Sequence, residues 1–307
     1  MRSSSATRLA NVERLRLVAM FEIVAFHVSE HRLPILAGLG LPVFLLLNNA
    51  FNCTLAQRMG TRAFLNTKLS RLLVPWLLWS LIYLGVVLLE RLRHDEPLTE
   101  GFSIWMLIGG TYAHLWFVPF ALAGSVVIAW LQARTASIDA WGVTLASLLC
   151  GAALTVFNAW LLAPGAIQWP ALQWLFALPA LPFGFAVGRA MLGGRPILVR
   201  MAWFACAAAA LGLGLAFAGV VPEMVRRYGV ALLLVSLAFL WPGPSEPVSQ
   251  RLAPLLFGIY LSHPLLVRAY QAAHLPALPD ALFAALIFAS SAALVALLRR
   301  SPLRQLV

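Results

Sequence analysis

Ten stretches of predominantly apolar residues, joined by short loops, fill most of this chain, and each has the ~20 residues a helix needs to cross the hydrocarbon of a bilayer. They fall near residues 15–33, 35–56, 72–90, 114–132, 138–158, 172–192, 197–219, 225–241, 254–272 and 281–298. In hydrocarbon every backbone polar group has to be met within its own segment or a closed barrel, so runs of this length are read as helices. The expected fold is an all-α polytopic membrane protein. It forms one transmembrane domain over residues 1–307, with tails at 1–12 and 299–307. The balance of 62% hydrophobic against 11% charged residues excludes a soluble domain, which carries ~25% charged residues. The connecting loops leave no room for a separate catalytic domain, so any chemistry must sit among the helices.

Lys and Arg outnumber Asp and Glu by 22 to 11, a surplus that in a soluble protein would suggest a nucleic-acid partner. Here its placement matters more. With ten spans, 16 cationic residues fall on the side of the termini, among them Arg8, Arg14, Arg58, Arg62, Arg134 and Arg300, and 6 on the other, Arg32, Arg91, Arg93, Arg226, Arg227 and Arg268. Cationic loops stay in the cytoplasm, which puts both termini there and removes nucleic acid as a partner. The first apolar run contains Glu22 and His27 and lacks a small-residue cleavage pattern, so it is read as a membrane helix and not as a cleaved signal. Gly101–Tyr112 is short and broken by glycine, and is expected as an interfacial or re-entrant piece on the outer side. The stretch Trp241–Pro247 is read as a connector. Cys53, Cys150 and Cys206 lack metal or redox spacing and are expected as small buried hydrophobes; no metal site is expected.

Ionisable groups inside a membrane helix are costly, which makes them candidates for function. Arg16 and His27 are eleven residues apart, three helical turns plus ~20°, with a rise of ~16 Å. The two side chains therefore share a face, with a guanidinium able to hold phosphate at one end and an imidazole able to take a proton from a hydroxyl at the other. The same residues also fit a snorkelling arginine and a packing histidine. Glu30, three residues beyond His27, either orients the imidazole or caps the outer end of the helix. Glu22 lies about 140° from His27 around the helix and is expected to face a neighbouring helix in an ion pair. Lys68 and Arg71, three apart before the third span, join Arg58 and Arg62 in a basic collar that also fits an ordinary cytoplasmic anchor. Further polar groups enter with His114 and Trp116, and with Tyr260 and His263.

In order along the chain, these pieces resemble the acyltransferase family 3 of integral membrane proteins. The likeness runs from about residue 12 to 268 and rests on Arg16 to His27, LPVFLLLNNAFN in the second span, KLSRLLVPW before the third, HLWFV, and IYLSH. Asn48 and Asn49 stand where the family often has Ser-Gly, and Lys68 where Arg is frequent. The resemblance implies transfer of an acyl group, usually acetyl, from cytoplasmic acyl-CoA to a hydroxyl of an extracytoplasmic carbohydrate or lipid-linked sugar. It also implies a multi-pass protein of a bacterial inner membrane, with acyl-CoA as co-substrate and no tightly bound cofactor. On this reading His27, supported by Glu30, is catalytic. Arg16, Lys68 and Arg71 hold the donor phosphates. Glu22, Asn48, Asn49, His114, Trp116, Tyr260 and His263 line the pocket. A membrane transporter with a path along Arg16, Glu22 and His27 is the alternative.

Overall fold

A computed structural model of the chain describes residues 9–29, 38–99, 102–162, 165–219, 223–241, 243–244 and 246–307, and among these every regular element is a helix. α1 (Ala10–Val28) and α2 (Gly40–Met59) come first, and Gly60, at φ +76°, turns the chain into α3 (Thr61–Lys68). A π-helical turn over Leu69–Leu73 carries α3 into α4 (Val74–Arg93) without interruption. This turn has a local cause. Pro75 has no N–H to offer the carbonyl of Arg71, and its ring crowds that oxygen, so the ladder widens there. The single turn α5 (Met106–Gly109) and a 3₁₀ turn over Ala113–Trp116 lead into α6 (Phe117–Thr135). Then follow α7 (Ala140–Leu162), α8 (Ala171–Ala177), α9 (Ala180–Gly193), α10 (Arg195–Phe217) and α11 (Glu223–Leu240). α12 (Pro247–Leu252), α13 (Leu256–Ala272) and α14 (Asp280–Leu298) complete the bundle.

Seven helical segments among the described residues are long and apolar enough to cross a membrane: Thr61–Arg93, Ala113–Thr135, Ala140–Leu162, Ala171–Gly193, Arg195–Phe217, Pro247–Ala272 and Asp280–Leu298. The other three expected spans form α1, α2 and α11, which have similar length but carry more charged or polar residues. Packing explains the difference. α2 carries Asn48, Asn49 and Asn52 and is surrounded by α1, α6, α9 and α11, so its side chains meet protein instead of lipid. α1 and α11 pack on it and on each other. The first helix begins at Ala10, inside the expected tail, and runs to Val28; the expected end of this span at residue 33 lies outside the described residues. The C-terminal residues fold back, with the Trp79 indole N–H donating to the Leu306 carbonyl at 2.7 Å. Cys53 is buried as expected, but Cys150 and Cys206 are exposed on α7 and α10. In a membrane protein an apolar residue is as well placed against lipid as inside.

α2 meets α9 closely through Gly184 and Gly188, a small-xxx-small spacing that lets membrane helices touch backbone to backbone. A Cβ on Gly184 would lie 2.4 Å from the Asn49 Cβ and 2.9 Å from the Leu46 carbonyl oxygen; one on Gly188 would lie 2.5 Å from the Cys53 Cβ. Asn49 Nδ2 closes the same interface by donating to the Ala180 carbonyl at 3.0 Å. Replacing Gly184 by Val is expected to cost about 1–3 kcal/mol or more through overpacking, read as a lowered unfolding midpoint in detergent. Gly85, whose Cβ would meet nothing within 4 Å, is the control that tolerates Ala.

Candidate active site

His27 lies in the last turn of α1. Its Nδ1 is 2.8 Å from the Ile23 carbonyl oxygen and 3.3 Å from Nε2 of His263. His263 Nδ1 in turn is 2.8 Å from the Tyr260 carbonyl and 3.2 Å from that of Ile259. Carbonyl oxygens only accept, so both Nδ1 atoms carry hydrogen and His263 Nε2 accepts from His27 Nδ1–H. This fixes the tautomer of His27, with hydrogen on Nδ1 and the lone pair on Nε2.

The sequence of α13 accounts for this arrangement. Pro264 lacks the N–H that would bond the Tyr260 carbonyl, and His263 takes up that oxygen instead. One residue on, the Tyr83 hydroxyl from α4 enters the helical ladder, donating to the Leu261 carbonyl at 2.8 Å and accepting from the Leu265 N–H at 3.2 Å. Side-chain insertion at a proline is a known way of bending a helix. Around these groups lies an aromatic box. Tyr83 stacks on Tyr112 at 4.7 Å, and the His114 ring is 5.1 Å from Tyr83, 5.4 Å from Tyr260 and 5.6 Å from His263. The Tyr260 hydroxyl donates to the His114 backbone carbonyl. The His114 ring is buried, with the Leu261 carbonyl nearby but no well-formed hydrogen bond at either nitrogen among the described residues.

Two cavities meet at His27, Ala113 and His114. One, of about 520 Å³, is mostly apolar and includes Trp116 and Tyr260 in its lining. The other, of about 930 Å³, is lined by Glu90, Arg91, Arg93, His94, Arg268 and His274. Arg268 pairs with Glu90 and donates to the Tyr112 hydroxyl at 2.8 Å. In the sequence neither Tyr83, Tyr112 nor Glu90 stands out, and Arg268 reads only as a loop charge. The one available signal was an acid and a base at the outer ends of two apolar runs.

At the other end of α1, Arg16 lies over the Phe51 ring at 5.6 Å, and Lys68 over Phe64 at 5.5 Å. Lys68 is within electrostatic reach of both Arg71 and Arg16, so three cations from α1 and the α3–α4 rod stand together. None of them has an ion pair among the described residues. Arg58 and Arg62 are exposed at the same end.

Other expected residues take different positions. Among the described residues Glu22 makes no direct ion pair: its oxygens accept the N–H groups of Gly38 at 2.8 Å and Gly40 at 2.7 Å, and Arg227, within electrostatic reach of it, pairs directly with Glu223. A carboxylate at the start of α2 meets the unpaired donors and positive end of that helix, a partner written in the backbone and invisible as a charge pattern. Glu22 still borders the apolar cavity, but this engagement takes away the middle member of a transporter path. Asn48 and Asn49 line neither cavity; Asn49 ties α2 to α9, and Asn48 Nδ2 is buried without a partner among the described residues. Glu30 lies outside the described residues. Glu22→Ala, which strands two N–H groups, is expected to lower stability by about 1–3 kcal/mol, seen in thermal unfolding, and Glu22→Gln to lose less because one acceptor oxygen remains.

Searches of curated proteins and of solved structures find no match. A family model described as an acyltransferase domain matches residues 9–300, nearly the whole helical bundle with both ends of α1 and the two histidines at the cavity junction, and the chain therefore belongs to the acyltransferase family 3 of membrane proteins.

Proposed function

We propose that this membrane acyltransferase moves an acyl group from cytoplasmic acyl-CoA to a hydroxyl of an extracytoplasmic carbohydrate or glycolipid, in a bacterial inner membrane that it crosses ten times with both termini inside. The observation that carries this reading is the position of His27, held as one tautomer at the junction of two cavities, on the same helix as Arg16, whose cationic cluster begins about 16 Å away along the axis. Arg16, Lys68 and Arg71 are assigned to the donor phosphates, which charge-assisted hydrogen bonds from such a cluster would hold. The thioester end of the donor then lies toward His27. Acetyl is the acyl group that the family resemblance suggests.

In the proposed reaction His27 Nε2 takes the proton from the acceptor hydroxyl as its oxygen attacks the thioester carbonyl. The carbon–sulfur bond then breaks, and the leaving thiolate recovers the proton from the imidazolium, so that ester and free CoA leave a neutral ring. The Ile23 carbonyl and His263 stabilise that transient charge by keeping Nδ1–H engaged. His263 acts through His27 and is a positioning residue.

A His27→Ala variant is expected to lose turnover by ~10²–10⁴-fold, measured as release of free CoA thiol, while acyl-CoA binding persists. In nanodiscs, Arg16→Ala and the double variant Lys68→Ala/Arg71→Ala are expected to weaken acetyl-CoA binding with the fold intact by size exclusion. Full activity in His27→Ala, or unchanged affinity in both cation variants, would overturn the assignment.

A further inference from the structure

The two cavities that share His27 and His114 differ in polarity, and only the charged one suits a carbohydrate. The apolar one is walled by Ile23, Phe26, Leu41, Leu162, Leu172 and Phe176. Its charged side chains already have partners within the protein, Glu22 in the N–H groups of Gly38 and Gly40, and Arg227 in Glu223. Gln173 adds a buried Oε1 without a partner among the described residues. At about 520 Å³ this chamber is in the range that encloses a whole drug-sized ligand, far more than the single methyl of an acetyl group fills.

Its direction bears on its use. On α1 the chamber borders Glu22, Ile23, Phe26 and His27, and on α2 only Leu41 near the helix start. Arg16 stands about 10 Å further along α1 from Ile23, against Phe51, and Met20 between them is fully buried. The chamber is thus a side branch at the level of His27, separate from the direction in which the cations lie. At its inner end sits the buried His114 ring, which has the Leu261 carbonyl nearby but no well-formed hydrogen bond at either nitrogen among the described residues. Such a group is costly unless something pairs with it, and a carbonyl oxygen placed between His27 and His114 would accept its N–H.

We infer that the apolar chamber takes the hydrocarbon tail of the acyl group, with the thioester carbonyl at the two histidines, and that the preferred donor is a medium-chain acyl-CoA instead of acetyl-CoA. This inference rests on acyl-CoA being the donor. The acceptor hydroxyl comes from the charged vestibule, so tail and acceptor approach the reacting carbon from different cavities.

The test is binding of acetyl-, butanoyl-, hexanoyl- and octanoyl-CoA to nanodisc-embedded protein, with empty nanodiscs subtracted, for the wild type, Leu172→Trp and Leu162→Trp. Each added methylene is expected to tighten binding about fourfold until the chamber is full. Either tryptophan, by filling the chamber, is expected to lower the hexanoyl-to-acetyl affinity ratio at least tenfold. Two tryptophan positions on different helices guard against one variant failing to fold. Equal affinity at all chain lengths would overturn the inference while leaving the donor reading standing. So would a long-chain preference unchanged by both tryptophans, which would put the tail elsewhere. If no acyl-CoA of any length binds well-folded protein, the donor reading itself fails and the inference falls with it.

Discussion

The carbonyl of Tyr260, deprived of its helical donor by Pro264, is the point from which the rest of the site follows. A proline inside a helix normally leaves a cost of ~3 kcal/mol, and in a lipid setting no water is at hand to relieve it. Here the opening in α13 is closed by two side chains. His263 takes the Tyr260 oxygen, and the Tyr83 hydroxyl takes the next carbonyl and the N–H of Leu265. The first of these fixes which nitrogen His263 turns toward α1, and thereby which nitrogen of His27 bears its proton. A backbone irregularity thus sets the protonation geometry of a side chain on another helix.

The polar groups of this protein show a division between structure and site that residue type alone does not reveal. Glu22, Asn49 and Asn52 are all buried, and each is engaged within the fold: with the start of α2, the Ala180 carbonyl and the Ser125 hydroxyl. His114 is equally buried, yet its ring nitrogens make no well-formed hydrogen bond among the described residues. The three cations Arg16, Lys68 and Arg71 likewise lack carboxylate partners there, unlike Arg14, Arg227 and Arg268. In the proposed reaction His114 and these three cations face the ligand, whereas Glu22, Asn49 and Asn52 serve the fold.

Much of this was legible from the residues in order. The apolar runs located every long helix, because a span length is a property of consecutive residues, and the Arg16 to His27 spacing put two groups on one helix face. What remained hidden was non-local or written in the backbone. Tyr83 sits unremarkably in an apolar run, and its meaning comes from α13, 178 residues away. Glu22 was recognised as a buried acid, but its partners are amides, which carry no residue signature. Gly184 and Gly188 do carry one, and only their contact with α2 shows why both positions lack a side chain. The cysteines on α7 and α10 misled because lipid rewards an apolar side chain as well as a protein core does.

The polar character of α2 has a consequence for how the chain is made. A helix of modest hydropathy leaves the translocon for the bilayer reluctantly, and α2 is synthesised long before the helix it packs against most closely. Asn49 waits 131 residues for the carbonyl that it binds. Glu22 can hold the start of α2 as soon as the first hairpin exists, so α1 and α2 can enter the bilayer as a pair, and the pair then waits in a protein-lined setting until α9 emerges to close over it.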